Sequence, residues 1–246
     1  MSYFIDTHCH LDLFKNIQTG ITAEDSTDIK SITVTNAPSF FTPNKQLFFN
    51  AKNIRTALGF HPQLVAQYQH EEKLFEELIS QTRYVGEIGL DGSVELKNSF
   101  PLQKKIFENI LRSVSKSDGK ILTIHSRNAV EEVIECLVRN LKRSGCKVIL
   151  HWYSGSISDL KSAILKNYYF SINHKMTESK KGREIIKYIP KELLLTETES
   201  PFTFSSSVAN RLDSLKATVS YLQTEQKAGF DDIKTLLYSN FKTLLS

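Results

Sequence analysis

The sequence predicts an α/β protein, a closed (β/α)8 TIM barrel in one domain, and three observations predict it. Eight short apolar or β-branched runs recur along the chain, stretches with helical spacing lie between most of them, and five of the seven histidines follow the ends of runs. Alternation of strand and helix demands a parallel sheet covered by helices, and eight units in about 200 residues suit a closed barrel better than an open sheet. With 246 residues, 40% of them hydrophobic, the chain can bury a sizeable core.

The first run, Tyr3 to Asp6, leads into His8 and His10. Asn16 to Lys30 then breaks the alternation: it is rich in Thr, Asp, Ser and Gly, carries no apolar stripe, and predicts a first helix that is shortened or lost. Ser31 to Asn36 and Arg55 to Leu58 are the second and third strands, the latter leading through Gly59-Phe60 to His61. Tyr84 to Ile88 is the fourth and contains Glu87. Leu102, Ile106, Ile110, Leu111 and Val114 fall on one helical face, and Ile121 to Ile124 then delivers His125. A second stripe, Val130, Val133, Ile134, Leu137 and Leu141, separates it from Val148 to Leu150, which His151 follows. Tyr168 to Ile172 and Leu193 to Leu195 complete the set, the last running into Thr196, Glu197 and Glu199. Ser205 to Ser246 adds helix at the C-terminus. Residues 1–246 hold no repeat, low-complexity tract or Pro/Gly-rich linker, so a single domain is expected.

Composition removes several classes of function. Thirty-one Lys and Arg against 27 Asp and Glu leave +4, too little for a protein that coats duplexes through a basic stripe. No apolar run reaches the roughly 18 residues of a membrane span, and Met-Ser-Tyr-Phe-Ile-Asp lacks the basic and apolar regions of a signal peptide. A cytoplasmic protein without a membrane partner is expected. Cys9, Cys136 and Cys146 are odd in number and form no Cys-x-x-Cys, so they are read as small buried hydrophobes.

Strand C-termini of a β/α barrel converge on one face, so His8, His10, His61, His125 and His151 would meet there, with Glu87, Glu197 and Glu199. Acids inside apolar strands are tolerated when paired or bound to metal. Imidazoles and carboxylates together suit zinc, manganese, iron or magnesium, and more than four such groups imply two ions. Taken singly, the residues have plainer readings. His-x-His arises by chance, His61 before Pro62 fits a turn, Glu87 fits an ion pair, and Arg127 fits a helix start as well as a phosphate clamp. His70 beside Glu71 and His174 beside Lys175 are expected in solvent; Trp152 or Tyr153 would either stack a base or lie in the barrel wall.

The motifs resemble those of the TatD-like metal-dependent hydrolases over the whole chain. Ile5-Asp6-Thr7-His8-Cys9-His10-Leu11-Asp12, Leu58-Gly59-Phe60-His61-Pro62 and Val85-Gly86-Glu87-Ile88-Gly89-Leu90-Asp91 look like the first blocks of that family. Phe100-Pro101-Leu102-Gln103, Ile124-His125-Ser126-Arg127 and His151-Trp152-Tyr153-Ser154-Gly155 follow in order, then Glu197-Thr198-Glu199-Ser200-Pro201 and Asn240-Phe241. The resemblance implies a distorted barrel, two divalent ions (Mg, Mn or Zn), and cleavage of DNA phosphodiesters from the 3′ side at a strand end or single strand. By the same resemblance His8, His10 and Glu199 hold one ion, His125 and His151 the other, and Glu87 bridges. His61 would line the substrate pocket, Arg127 and Gln103 would contact phosphate or support the residues around the site from behind, and Glu199 and Glu87 would carry the catalysis. Glu199 stands where the family has aspartate, and the segments after Asp91 and Pro201 depart from its pattern. These departures keep two other readings open: an ester or amide hydrolase of small molecules or aminoacyl nucleic acid, and a weakly catalytic regulatory subunit. DNA repair, DNA degradation and antiviral defence, with protein partners in an operon-encoded complex, are the settings the resemblance implies.

Overall fold

The computed structural model describes residues 2–15, 17–141 and 144–246. Among them run eight parallel strands, each on one of the expected segments. β1 (Phe4–Cys9), β2 (Ile29–Thr33) and β3 (Ile54–Thr56) form one sheet. A second contains β4 (Tyr84–Gly89), β5 (Ile121–His125), β6 (Lys147–His151), β7 (Tyr169–Ile172) and β8 (Leu194–Thr196). Neighbours in space are neighbours in sequence throughout, which is barrel order. The strands are rich in Ile, Leu, Val and Phe and buried almost along their length, as parallel strands covered by helices must be.

Two seams join the sheets into a distorted barrel. At the first, Leu58 bridges Val85: Leu58 N donates to the Tyr84 carbonyl at 3.0 Å and Gly86 N to that of Leu58 at 2.8 Å. Only glycine fits next to it, because a Cβ on Gly59 would lie 1.6 Å from the Thr35 carbonyl oxygen. The second seam, between β8 and β1, is sewn largely by threonine hydroxyls. Thr7 Oγ1 donates to the Thr196 carbonyl at 3.1 Å, and Thr196 Oγ1 to that of Ile5 at 2.5 Å.

Helices α1 (Ile17–Asp25), α2 (Pro38–Leu47), α3 (Val65–Tyr68) and α4 (Glu72–Leu78) cover the first half of the chain. α5 (Phe100–Val114), α6 (Val130–Asn140), α7 (Ile157–Ile164), α8 (His174–Glu178) and α9 (Lys180–Tyr188) follow, and α10 (Arg211–Gln226) and α11 (Phe230–Leu245) close the chain. α5 starts with a proline in its first turn and buries Ile106, Ile110, Leu111 and Val114 of the stripe legible in sequence, together with Phe107, while Leu102 is partly buried. α6 has Glu131 and Glu132 in its first turn and Arg139 in its last, matching the helix dipole. Ser156, Ser179 and Asn210 cap α7, α9 and α10 by accepting from a backbone N–H three residues on. No helix among the described residues is long and apolar enough to cross a membrane.

Three expectations need correction. The first helix is not lost: over nine residues its Ile17 and Ile21, one turn apart, join Phe14, Leu47 and Ala51 in packing around Cys9, Leu11, Phe48 and Ile54. His174 is 1% exposed, because α10 lies over it and Ser214 Oγ sits 2.8 Å from its Nδ1; His70 is in solvent as expected. Cys9 and Cys136 are buried, but Cys146 is only half-buried.

Below the barrel mouth a buried ion pair ties α10 to the first strands. Arg211 Nε donates to Asp6 Oδ2 at 2.9 Å and its Nη1 to Glu24 Oε2 at 2.8 Å, while Nη2 reaches Ser31 Oγ. Asp6 also accepts from Thr198 N at 2.9 Å and Thr198 Oγ1 at 2.7 Å, fixing the segment between Glu197 and Glu199.

Candidate metal centre

Strand pairing slips in two places, between Asp6 and Cys9 of β1 and between Val85 and Ile88 of β4. The first irregularity contains His8 and the second contains Glu87. Irregular pairing re-aims a side chain that regular pleating would direct elsewhere, and here both side chains point into the mouth. His10, two residues after His8, shares its face, while Cys9 between them packs outward with its Sγ on the Ile32 carbonyl.

Glu87 occupies the centre, and its two oxygens face different histidines. Oε2 lies 3.2 Å from His8 Nε2 and 3.4 Å from His10 Nε2. Oε1 lies 3.1 Å from His61 Nε2, 2.7 Å from His125 Nδ1 and 2.9 Å from His151 Nε2. Glu199 closes the first side, with Oε2 3.2 Å from His8 Nε2 and Oε1 3.8 Å from His10 Nε2. It stands at φ +52°, a left-handed conformation costly for a side chain this large.

Other contacts fix the rings. Thr123 Oγ1 is 2.5 Å from His8 Nδ1, and His8 stacks on His151 with centroids 3.8 Å apart. His61 Nδ1 accepts from Gln63 N at 3.2 Å, which leaves Nε2 for Glu87. His125 Nε2 is 3.0 Å from Asp91 Oδ2, and Asp91 also accepts from Gln63 Nε2 at 2.8 Å and from Ser93. Glu197, fully buried, accepts from Asn173 Nδ2 at 2.9 Å and from Ser171 Oγ, and its Oε2 lies 3.9 Å from His151 Nδ1.

These charges perturb one another strongly. Burial opposes ionisation of Glu87, but His61, His151 and His8 around it outweigh burial and hold its carboxyl well below the usual range. Glu199 is brought down to about 2 in the same way, with His8, His10 and His151 overcoming burial. Burial works against protonation of His10, yet Glu199 and Glu87 raise it to about 10. His125 and His151 are likewise raised against burial by neighbouring carboxylates, whereas for His61 burial prevails and its pKa falls.

The donor set fits divalent metal. His10 Nδ1 and Nε2, His151 Nδ1 and Glu199 Oε2 are buried with no hydrogen-bond partner among the described residues, although several lie within 4 Å of an opposite charge. They are close without being aligned to each other. Two ligands each about 2.1 Å from one ion lie about 3 to 4 Å apart, which is the spacing between these atoms. Three groups could hold an ion: His8, His10, Glu87 and Glu199; His61, Glu87 and His125; and His151, Glu197 and Glu199. Orphaned buried donors are expensive unless something absent from the protein completes them.

A pocket of about 580 Å³ opens over the cluster, lined by His10, His61, His125, His151 and Glu199 and rimmed by Arg127, Trp152 and Phe202. Arg127 is exposed there. Gln103, expected either on phosphate or behind the site, is fully buried behind the wall, where its Oε1 accepts from Asp91 N at 2.8 Å. Tyr153 belongs to the wall, 1% exposed, with its hydroxyl donating to the Ser156 carbonyl. Sequence reasoning did not assign Asp91, Gln63 or Asn173 to the site. The one available signal was an acid two residues past a strand end, at Asp91.

Known proteins bear on this site. A family model described as "TatD related DNase" matches residues 5–246. The uncharacterized metal-dependent hydrolase YabD of Bacillus subtilis is 27% identical over 202 residues, 78% of this chain and 77% of that protein. The human 3′-5′ RNA nuclease TATDN2 is 26% identical over 231 residues, 85% of this chain but 30% of its own length. Among solved structures, YjjV, a TatD homologue of Escherichia coli, superposes with a TM-score of 0.86 at 23% identity, covering 98% of this chain and 97% of that one. Spanning nearly all of the sequence and agreeing with a mouth built of histidines and glutamates, these matches make the chain a member of the TatD related DNase family, whose relatives are metal-dependent hydrolases.

Proposed function

We propose that the chain hydrolyses DNA phosphodiesters from the 3′ end with two divalent ions, magnesium, manganese or zinc, divided by Glu87. The division of the Glu87 carboxylate carries this reading: Oε2 faces His8 and His10, while Oε1 faces His61, His125 and His151. A carboxylate between two imidazole sets is the arrangement a bridged pair needs. His8, His10 and Glu199 would hold one ion, and His125 and His151 the other. Bound ions would lower the pKa of a coordinated water toward about 7 and offset charge on the phosphoryl and leaving oxygens.

The protein's own groups do the rest. Glu199 Oε2, buried and unpartnered, accepts a proton from the attacking water. Arg127, exposed on the rim, pairs with a phosphate oxygen, and His61, its Nε2 held on Glu87, lines the substrate pocket. Asp91 holds His125 through its Nε2, and Gln103 holds Asp91, so Gln103 acts on substrate only through these two. The family description supports DNA, and the 3′-5′ direction named for the human relative supports the polarity.

The test combines metal analysis of the purified chain with 3′- and 5′-labelled DNA, single- and double-stranded, and a matched RNA strand. Glu87→Ala should reduce metal-dependent cleavage at least about 100-fold and lower bound metal. Glu199→Asp should preserve or raise activity, since the shorter acid tolerates left-handed backbone better. Normal cleavage by Glu87→Ala would discard the mechanism, and exclusive cleavage of RNA or of unlabelled small esters would discard the substrate.

A further inference from the structure

Two large apolar side chains on the rim of the pocket are left in solvent, Trp152 at 36% exposure and Phe202 at 63%. Each directly adjoins the candidate metal centre. Trp152 follows His151, and the Phe202 ring stands edge-on to His10 with centroids 5.2 Å apart. Trp152 is also held at φ +38°, left-handed backbone that a bulky residue rarely adopts and that persists only where the surroundings enforce it. A tryptophan whose packing were its purpose would be buried, as the next residue, Tyr153, is. Ser154, Gln63 and Asn36 line the same pocket and offer hydroxyl and amide groups for sugar and phosphate.

We infer that Trp152 and Phe202 form a stacking platform for the bases beside the scissile phosphate. This inference rests on the phosphodiesterase reading and adds the element that distinguishes a nucleic-acid strand from a simple phosphate ester. Every base presents a π-face, so the platform tolerates sequence. Bases paired within a duplex are already stacked and must be pulled free first. With +4 over 246 residues the protein gains little from charge alone, and stacking supplies the grip that a basic groove provides elsewhere.

Trp152 is the one tryptophan in the sequence, so its fluorescence reports on the platform without reference to turnover. The whole chain with magnesium is titrated with a hydrolysis-resistant phosphorothioate thymidine strand and with a strand of equal length and charge lacking bases, binding being followed by anisotropy of a label on each strand. The thymidine strand should quench Trp152 and the abasic strand should not. In kinetics, the preference in kcat/KM for a base-bearing end over an abasic end should fall about 5- to 100-fold in Trp152→Ala, and Trp152→Phe should restore most of it. Unquenched emission with the thymidine strand bound, or an unchanged preference in Trp152→Ala, would overturn the platform while leaving phosphodiester hydrolysis standing. A wild-type chain that neither binds nor cuts either strand would overturn both.

Discussion

Asp91 shows how far a single side chain reaches beyond its own contacts. It accepts from Gln63 and Ser93, sits 3.0 Å from His125 Nε2, and is itself steadied by Gln103. Burial works against its charge, but the bonds from His125, Ser93 and Gln63 prevail and keep its pKa far below the usual carboxylate range. Asp91→Asn keeps the shape and loses that charge, so His125 loses its orientation. The expected result is a 10- to 100-fold fall in metal affinity, measured by competition with a chelating dye, with the fold unchanged by circular dichroism. Unaltered affinity would reduce Asp91 to a packing residue. Histidines at strand ends announced this site because position after a strand can be read from sequence. Asp91 and Gln63 could not be assigned, because what they do depends on which ring or carboxylate the fold brings against them. His174 misled for the same reason: a histidine beside a lysine looks solvated until a helix forty residues away covers it.

Among elements, α10 is the one most exposed to a single change. Its first residue, Arg211, is buried against Asp6 and anchors the helix to β1, β2 and α1. Arg211→Met leaves Asp6 charged and without its partner in the interior, which should cost about 3 to 5 kcal/mol in chemical denaturation. Asp6→Asn in the same chain should recover most of that loss; a double variant as weak as the single would mean that packing of the guanidinium stem, not charge, is what matters. Neither residue advertised the pair, since the two lie 205 positions apart in sequence and no periodicity links them. α5 and α6 were legible for the opposite reason, each carrying all or nearly all of its apolar stripe within its own span. α1 lay between these cases: two isoleucines on a polar background are too faint to read alone, yet with Phe14, Leu47 and Ala51 they pack around a small cluster.

At the scale of the whole molecule, strand number, order and direction were legible, and the two seams were not, because neither an isolated backbone bridge nor hydroxyl-to-carbonyl stitching leaves a pattern in a sequence. The seam between β8 and β1 runs through the site. His8 and His10 stand on one side of it and Glu199 on the other, joined by Glu199 N to the His8 carbonyl at 2.9 Å and His10 N to that of Ser200 at 2.8 Å. An ion held there would bind the folded chain alone, so manganese at about 100 times its dissociation constant should add about 2.7 kcal/mol of stability, read as a rise in melting temperature that His8→Ala abolishes. No peptide bond crosses that line, so the first and last strands are kept together by those hydrogen bonds, the threonine hydroxyls and whatever binds between their side chains. Starved of cations, the protein should begin to let go there: in hydrogen exchange, the amides of His10 and Glu199 would open to solvent before those of β5 and β6, and catalytic readiness and the integrity of the ring would be lost in one motion.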